Sequence, residues 1–130
     1  ESFMIGSAKD HETAIIEKST IKTVLYRTKK GSKILCTNHF QSDSFVNDPI
    51  NIESRDAGAS KYRFERLNEL LSDSIKFDSK KIAQVLRNTK GINNIDIGLG
   101  NECAVNQLIA HHSVIFKPRF ILALGKHIML

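Results

Sequence analysis

Lys33-Ile34-Leu35-Cys36-Thr37-Asn38-His39-Phe40 is the stretch on which the reading of this chain turns. An apolar run, Ile34 to Cys36, passes directly into a polar Thr-Asn-His cluster. A buried strand that ends in polar side chains is a place where a rigid scaffold presents chemistry. The run is expected to be the fourth strand, Ile34 to Thr37, of an antiparallel meander. The three before it are read at Phe3–Ser7, Thr13–Glu17 and Ile21–Tyr26, with turns at Lys9-Asp10-His11 and Lys29-Lys30-Gly31-Ser32. Strands about ten residues apart, joined by tight polar turns, give that topology.

Downstream the character changes. Gln41 to Ala57 is rich in Ser, Asp, Asn and Pro and is read as a long loop, either functional or a surface excursion. Two helices follow. Phe64, Leu67, Leu70 and Leu71 fall at helical spacing, with Ser60 as N-cap. Ile82, Val85 and Leu86 share a face behind Asp78 as N-cap, Phe77 and Ile82 form a hydrophobic staple, and Gly91 is the expected C-cap. Ile92 to Asn101 is Gly- and Asn-rich and is read as irregular. Strands are expected again at Ala104–Ala110, Ser113–Phe116 and Phe120–Leu124, the last two around a turn at Lys117-Pro118-Arg119. The expected class is α+β: antiparallel sheet with two helices packed on one face, in a single domain over 1–130.

Bulk properties narrow the function classes. The chain has 130 residues, 41% hydrophobic and 25% charged, with a formal net charge of +5. Its basic residues are scattered, with doublets only at Lys29-Lys30 and Lys80-Lys81. A nucleic-acid surface concentrates such residues on one face, so a solvated basic surface and no nucleic acid is the reading. Nucleic-acid binding through the net charge is kept as a third hypothesis, and it predicts affinity that falls steeply with salt. No apolar run reaches about 18 residues, so no membrane span is expected. The first residues lack a basic and then apolar leader pattern, and the chain begins with Glu rather than Met. That start is read as a processed chain or a piece of a longer one. No compartment follows from it.

Cys36 and Cys103 lie far apart without a CxxC spacing; a buried free thiol is expected at Cys36, and a disulfide is left open. No His or carboxylate spacing matches a metal motif and no Gly-rich phosphate loop is present, so neither a metal nor a cofactor is expected. The residues that could carry chemistry are Asn38, an amide donor to an oxyanion; His39, an acid, base or buried hydrogen-bonding group; Arg55 and Arg63; the loop acids Asp43, Asp48 and Asp56; and His111-His112.

Four ordered strings resemble acyl-coenzyme A:6-aminopenicillanic acid acyltransferase-like proteins, the C45 peptidases among the N-terminal-nucleophile hydrolases. They are Ala14-Ile15-Ile16-Glu17, Cys36-Thr37-Asn38-His39-Phe40, Ser60-Lys61-Tyr62-Arg63-Phe64 with Leu67 and Leu70-Leu71, and His112-Ser113-Val114-Ile115-Phe116-Lys117-Pro118. The resemblance covers the later half of that domain. It implies an αββα sandwich, an N-terminal Cys nucleophile whose own α-amino group is its base, and amide or thioester acyl substrates. It assigns the oxyanion role to Asn38 and the site arginine to Arg63, with Arg55 as rival. Position 1 is Glu, so the chain lacks that nucleophile and alone is expected to be inactive. A missing layer leaves a sheet face open, from which a homo-oligomer is expected. The reading of a different class is a non-catalytic binding or oligomerisation module with the same partial fold.

Overall fold

The structure is a computed structural model, and it describes residues 1–7, 9–10, 12–27, 33–72, 77–110 and 113–115. It is α+β. Three strands, β1 (Ser2–Ser7), β2 (Glu12–Lys18) and β3 (Thr23–Arg27), form an antiparallel sheet in that order. Three helices follow: α1 (Pro49–Asp56), α2 (Ser60–Leu70) and α3 (Ser79–Leu86). Short 3-10 turns occupy Asp43–Phe45 and Ile92–Asn94.

The sheet follows from alternation. Thr13, Ile15 and Glu17 of β2 are buried, while the residues between them are more accessible. Successive strand side chains point to opposite faces, so one face of the sheet is covered and the other is not. The turn from β2 to β3 is closed by Ser19, whose Oγ accepts from the backbone N–H groups of Ile21 and Lys22 at 3.2 and 3.1 Å. Such a local side-chain bond is why Ser starts turns. Register pairs Phe3 with Ile16 and Ile16 with Leu25, and Ile5 with Ala14. These residues share the open face, and Phe3, Ile5 and Leu25 remain about half exposed.

The expected fourth strand does not form. Residues 33–37 pair with no strand among the described residues. Ile34 and Leu35 are buried all the same. A short apolar run records burial, and for Leu35 that burial comes from helices rather than from a ladder. Leu35 packs with Leu67 and Leu71 of α2 and its C-cap and with Ile82 and Val85 of α3. Each such side chain contributes about 1.5–3 kcal/mol on burial. This cluster contains no strand residue, so the helices are joined through the 33–37 segment and not laid on the sheet as expected.

The long loop 41–57 is also corrected, because half of it is α1. Asp48 caps it, its side chain accepting from Asn51 N at 2.9 Å, and Pro49 stands at N1 where its missing N–H costs nothing. Ser60 is not the N-cap of α2; Ala59 holds that place, and the Ser60 hydroxyl is used elsewhere. Asp78 does cap α3, accepting from Lys81 N at 2.8 Å, and Phe77 packs against the cluster that contains Ile82. Gly91 is not a C-cap. Helix α3 ends at Leu86, and Gly91 has an extended backbone (φ −80°). Its lack of a side chain serves close approach: a Cβ would sit 2.5 Å from the Tyr62 hydroxyl.

Residues 104–110 form turns rather than a strand. Asn106 and Gln107 interrupt the apolar alternation, and Leu108 folds back over Gly100, a left-handed residue (φ 77°) where a Cβ would clash at 2.5 Å. Residues 113–115 belong to no strand. The expected hairpin at 117–119 and the strand at 120–124 lie outside the described residues.

Candidate functional site

The exit from the 33–37 segment, whose Ile34 and Leu35 are buried, is held by several independent bonds. Asn51 of α1 clamps the backbone of Phe40: its Oδ1 accepts from Phe40 N at 2.7 Å, and its Nδ2 donates to the carbonyls of Phe40 and Phe45 at 3.2 and 3.1 Å. Gln41 Nε2 donates to Leu35 O at 2.7 Å, folding the segment back on itself. Glu17 reaches from β2 with a fully buried carboxylate, which accepts from Gln41 N, from Ser42 N at 3.1 Å and from Ser42 Oγ at 2.6 Å.

Within this frame His39 is a pivot. Its Nδ1 lies 2.8 Å from Ser60 Oγ and 3.1 Å from Thr37 Oγ1, and the two hydroxyls are 3.2 Å apart. Its ring meets Phe64 edge-on at 5.6 Å between centroids. Burial, and then the nearby Arg55 charge, push the imidazole below its ordinary value, so it is neutral at pH 7. A neutral ring can accept at Nδ1, which suits a hydroxyl-rich cluster. Thr37 and His39 are thus both tied to the start of α2 through Ser60.

Asn38, between them, stays accessible and meets Arg63. Arg63 Nη2 donates to Asn38 Oδ1 at 2.7 Å, and its Nη1 donates to the Glu102 carbonyl at 2.7 Å. Partial burial draws the guanidinium below its usual value, with Cys103 and Glu102 opposing. Arginine nevertheless stays charged at neutral pH. The bond fixes which end of the Asn38 amide faces Arg63. The other end, Nδ2, has no partner among the described residues, so it retains both donors. The two residues expected from sequence to share a site are therefore brought together. Arg55 is not with them: it forms a bidentate pair with its neighbour Asp56, at 2.7 and 2.8 Å.

A cavity of about 720 Å³ borders Cys36, Thr37 and Asn38 and reaches the β2–β3 turn and α1. Cys36 is half-buried. Burial pushes its thiol up, a Ser2 hydrogen bond opposes this, and Glu17 adds to the rise. A thiol so placed is protonated and a poor nucleophile at neutral pH. Cys36 and Cys103 are both free.

Of the other candidates, Asp48 is occupied as a helix cap and Asp56 by Arg55, while Asp43 opens a 3-10 turn. His111 and His112 lie outside the described residues. Among those described, no three His, Cys, Asp or Glu side chains are grouped to hold a metal, and no helix is long and apolar enough to cross a membrane. Sequence reasoning missed Asn51 as a clamp and Ser60 as a bridge. The Asp48-Pro49 pair was a usable sign of a helix start, which would have placed Asn51 in its first turn. The Glu102 carbonyl has no sequence signature.

No family model matches the chain, and no curated protein and no solved structure matches it.

Proposed function

We propose that the chain is the later portion of an N-terminal-nucleophile hydrolase domain, of the C45 acyltransferase kind, that works on amide or thioester acyl groups. Asn38 is its oxyanion donor and Arg63 the residue that sets it. One observation carries this reading: the 2.7 Å bond from Arg63 to Asn38 Oδ1, which leaves the Nδ2 donors free.

The chemistry follows from where charge develops. When a nucleophile adds to an acyl carbonyl, the carbonyl electron pair moves to oxygen and an oxyanion forms. A preoriented N–H donor stabilises that charge more than it stabilises the starting carbonyl. A lone asparagine would have to give up rotational freedom to do so. Here Arg63 holds the amide already, and Thr37 and His39 anchor the backbone on either side. The nucleophile of this mechanism is an N-terminal Cys, which residues 1–130 do not supply, since residue 1 is Glu.

The test is the complete reading frame carrying an upstream Cys at a cleavable junction. In that protein Asn38→Ala lowers kcat on an amide or thioester substrate roughly 100-fold with little change in KM. A loss of less than about threefold would remove Asn38 from the mechanism.

The second reading is a non-catalytic module, and it shares with the first the open sheet face of Phe3, Ile5 and Leu25. In the sandwich a second sheet covers that face; in a free-standing module a second copy does. Either way the isolated chain self-associates, because apolar patches of this kind drive association. Sedimentation at tens of micromolar is expected to give a dimer or larger species, and a monomer there would contradict both. The two readings part on turnover by the full reading frame.

A further inference from the structure

We propose that the cavity beside Asn38 is a binding site for a small uncharged amphiphile, a hydrocarbon body carrying one carbonyl-type hydrogen-bond acceptor. This does not depend on acyl chemistry, since it concerns binding to the chain as it stands.

Volume comes first. About 720 Å³ lies within the range of roughly 300–1,000 Å³ typical of small-molecule sites. The polar groups along the wall are mostly engaged by the protein itself. Asn51 uses its whole amide on Phe40 and Phe45. The Thr37 hydroxyl belongs to the His39–Ser60 cluster, and the Ser19 hydroxyl holds its turn. Asp48 uses one oxygen, Oδ1, on the α1 cap. Lys18 and Glu1 bring opposite charges, both on exposed residues where water solvates them. The Thr20 and Ser54 hydroxyls at this wall have no hydrogen-bond partner among the described residues, and neither has Asn38 Nδ2, the amide donor among them. A carbonyl oxygen satisfies it; an ammonium head, which has only donors, does not.

The apolar part is carried by Phe40 and the protonated Cys36 inside, and by two isoleucines at the mouth. Ile21 is 91% exposed on the β2–β3 turn, and Ile50 is 79% exposed on the first turn of α1. Side chains from separate elements converge on one opening with their apolar surface in water. A hydrocarbon body seated between them removes that surface at about 25 cal/mol per Å². A single exposed isoleucine means little, but two beside a cavity that also holds an unpartnered amide donor suit a ligand with an apolar body and an acceptor.

The experiment is a titration of the ¹⁵N-labelled chain with octan-2-one, followed by amide NMR. Expected shifts cluster at the Asn38 side-chain NH2 and the backbones of Cys36, Phe40 and Ile50. Ile50→Glu weakens binding tenfold or more. The helix tolerates it, since an acid in the first turn suits the helix dipole. Asn38→Asp removes the donor while leaving an acceptor for Arg63, and it weakens the ketone at least fivefold. Octylammonium binds at least tenfold more weakly than the ketone. Shifts confined to Phe3, Ile5 and Leu25, equal affinity for octylammonium, or unchanged binding by Ile50→Glu would each overturn the proposal. Because no turnover is read, failure here leaves the oxyanion reading to its own test, and absence of turnover leaves the cavity standing.

Discussion

Glu17→Ala is expected to destabilise the chain by about 3–5 kcal/mol. The reason is the number of donors that depend on one carboxylate. Glu17 is 0% exposed, and it accepts two backbone N–H groups and one hydroxyl from Gln41 and Ser42. No ion pair among the described residues neutralises it. Its charge is carried by hydrogen bonds alone, which are stronger when the acceptor is ionised. Truncation removes the acceptor and leaves both N–H groups and the hydroxyl buried without partners, at about 1–3 kcal/mol for each group that water does not reach. Glu17→Gln keeps the shape but turns an NH2 toward donors, so at least one bond is lost and the expected cost is intermediate. Thermal unfolding followed by circular dichroism is the measurement. A fall in Tm of roughly 10–20 °C is expected for Glu17→Ala. A fall of less than about 2 °C would mean that water replaces the carboxylate, and the clamp account would fail. The effect reaches the site, because Gln41 also bonds Leu35 O at the base of the Asn38 segment.

The parts of this fold that were legible in the sequence are those that local pattern determines. Three strands with β-branched alternation form where expected, and α2 and α3 follow the spacing of Leu67, Leu71, Ile82 and Val85. Asp78 caps as its type and position suggest. The failures share a cause. Ile34-Leu35-Cys36 has the composition of a strand, but a ladder needs a partner edge, and partner choice is a tertiary matter. Helix α1 has weak apolar content and was hidden in polar sequence, although Asp48-Pro49 marked its start. Ser60 shows how one residue type serves two purposes. It stands one place inside the helix, and its hydroxyl bonds His39 rather than a backbone N–H. The resemblance named Asn38 and Arg63 as residues of one site, but the bond between them, with Glu102 as the second acceptor, required the fold. Sequence separation alone says nothing about which of Arg55 and Arg63 turns toward residue 38.

Arg66→Ala is expected to cost about 3–4 kcal/mol and to loosen the segment from Asn88 to Asn106. Arg66 is 1% exposed, an unusual state for a guanidinium, which is almost never fully buried unless paired. It has partners. Nε donates to Asn88 Oδ1 at 3.2 Å, Nη1 to Glu69 Oε2 at 2.7 Å and Nη2 to Asn94 Oδ1 at 2.6 Å. Glu69 in turn accepts from Asn93 N at 3.0 and 3.2 Å. Asn93 and Asn94 are held at φ 57° and 60°, left-handed conformations that non-glycine residues adopt at a cost. The Arg66 fork and Glu69 supply the bonds that offset it. Removing the side chain leaves Glu69 without its cation and two amide oxygens without donors. Glu69 is partly exposed, so water recovers some of the loss, and the estimate falls short of the full range for a broken buried pair. Arg66→Lys keeps the charge but not the three-way fork, and an intermediate loss follows. The change has a route to the site. Asn88 O accepts from Asn106 N at 2.9 Å, and Gln107 Nε2 donates to Glu102 O at 2.7 Å, the carbonyl that also holds Arg63. Hydrogen exchange should therefore rise at Asn93, Ile95 and Asn106 in Arg66→Ala while β1 and β2 keep their protection. A double-mutant cycle with Glu69→Ala should return a coupling of at least about 1 kcal/mol, as residues in one bonded network do. A stability loss below about 1 kcal/mol, or unchanged exchange at these amides, would show that packing of α2 and α3 alone holds this half of the molecule.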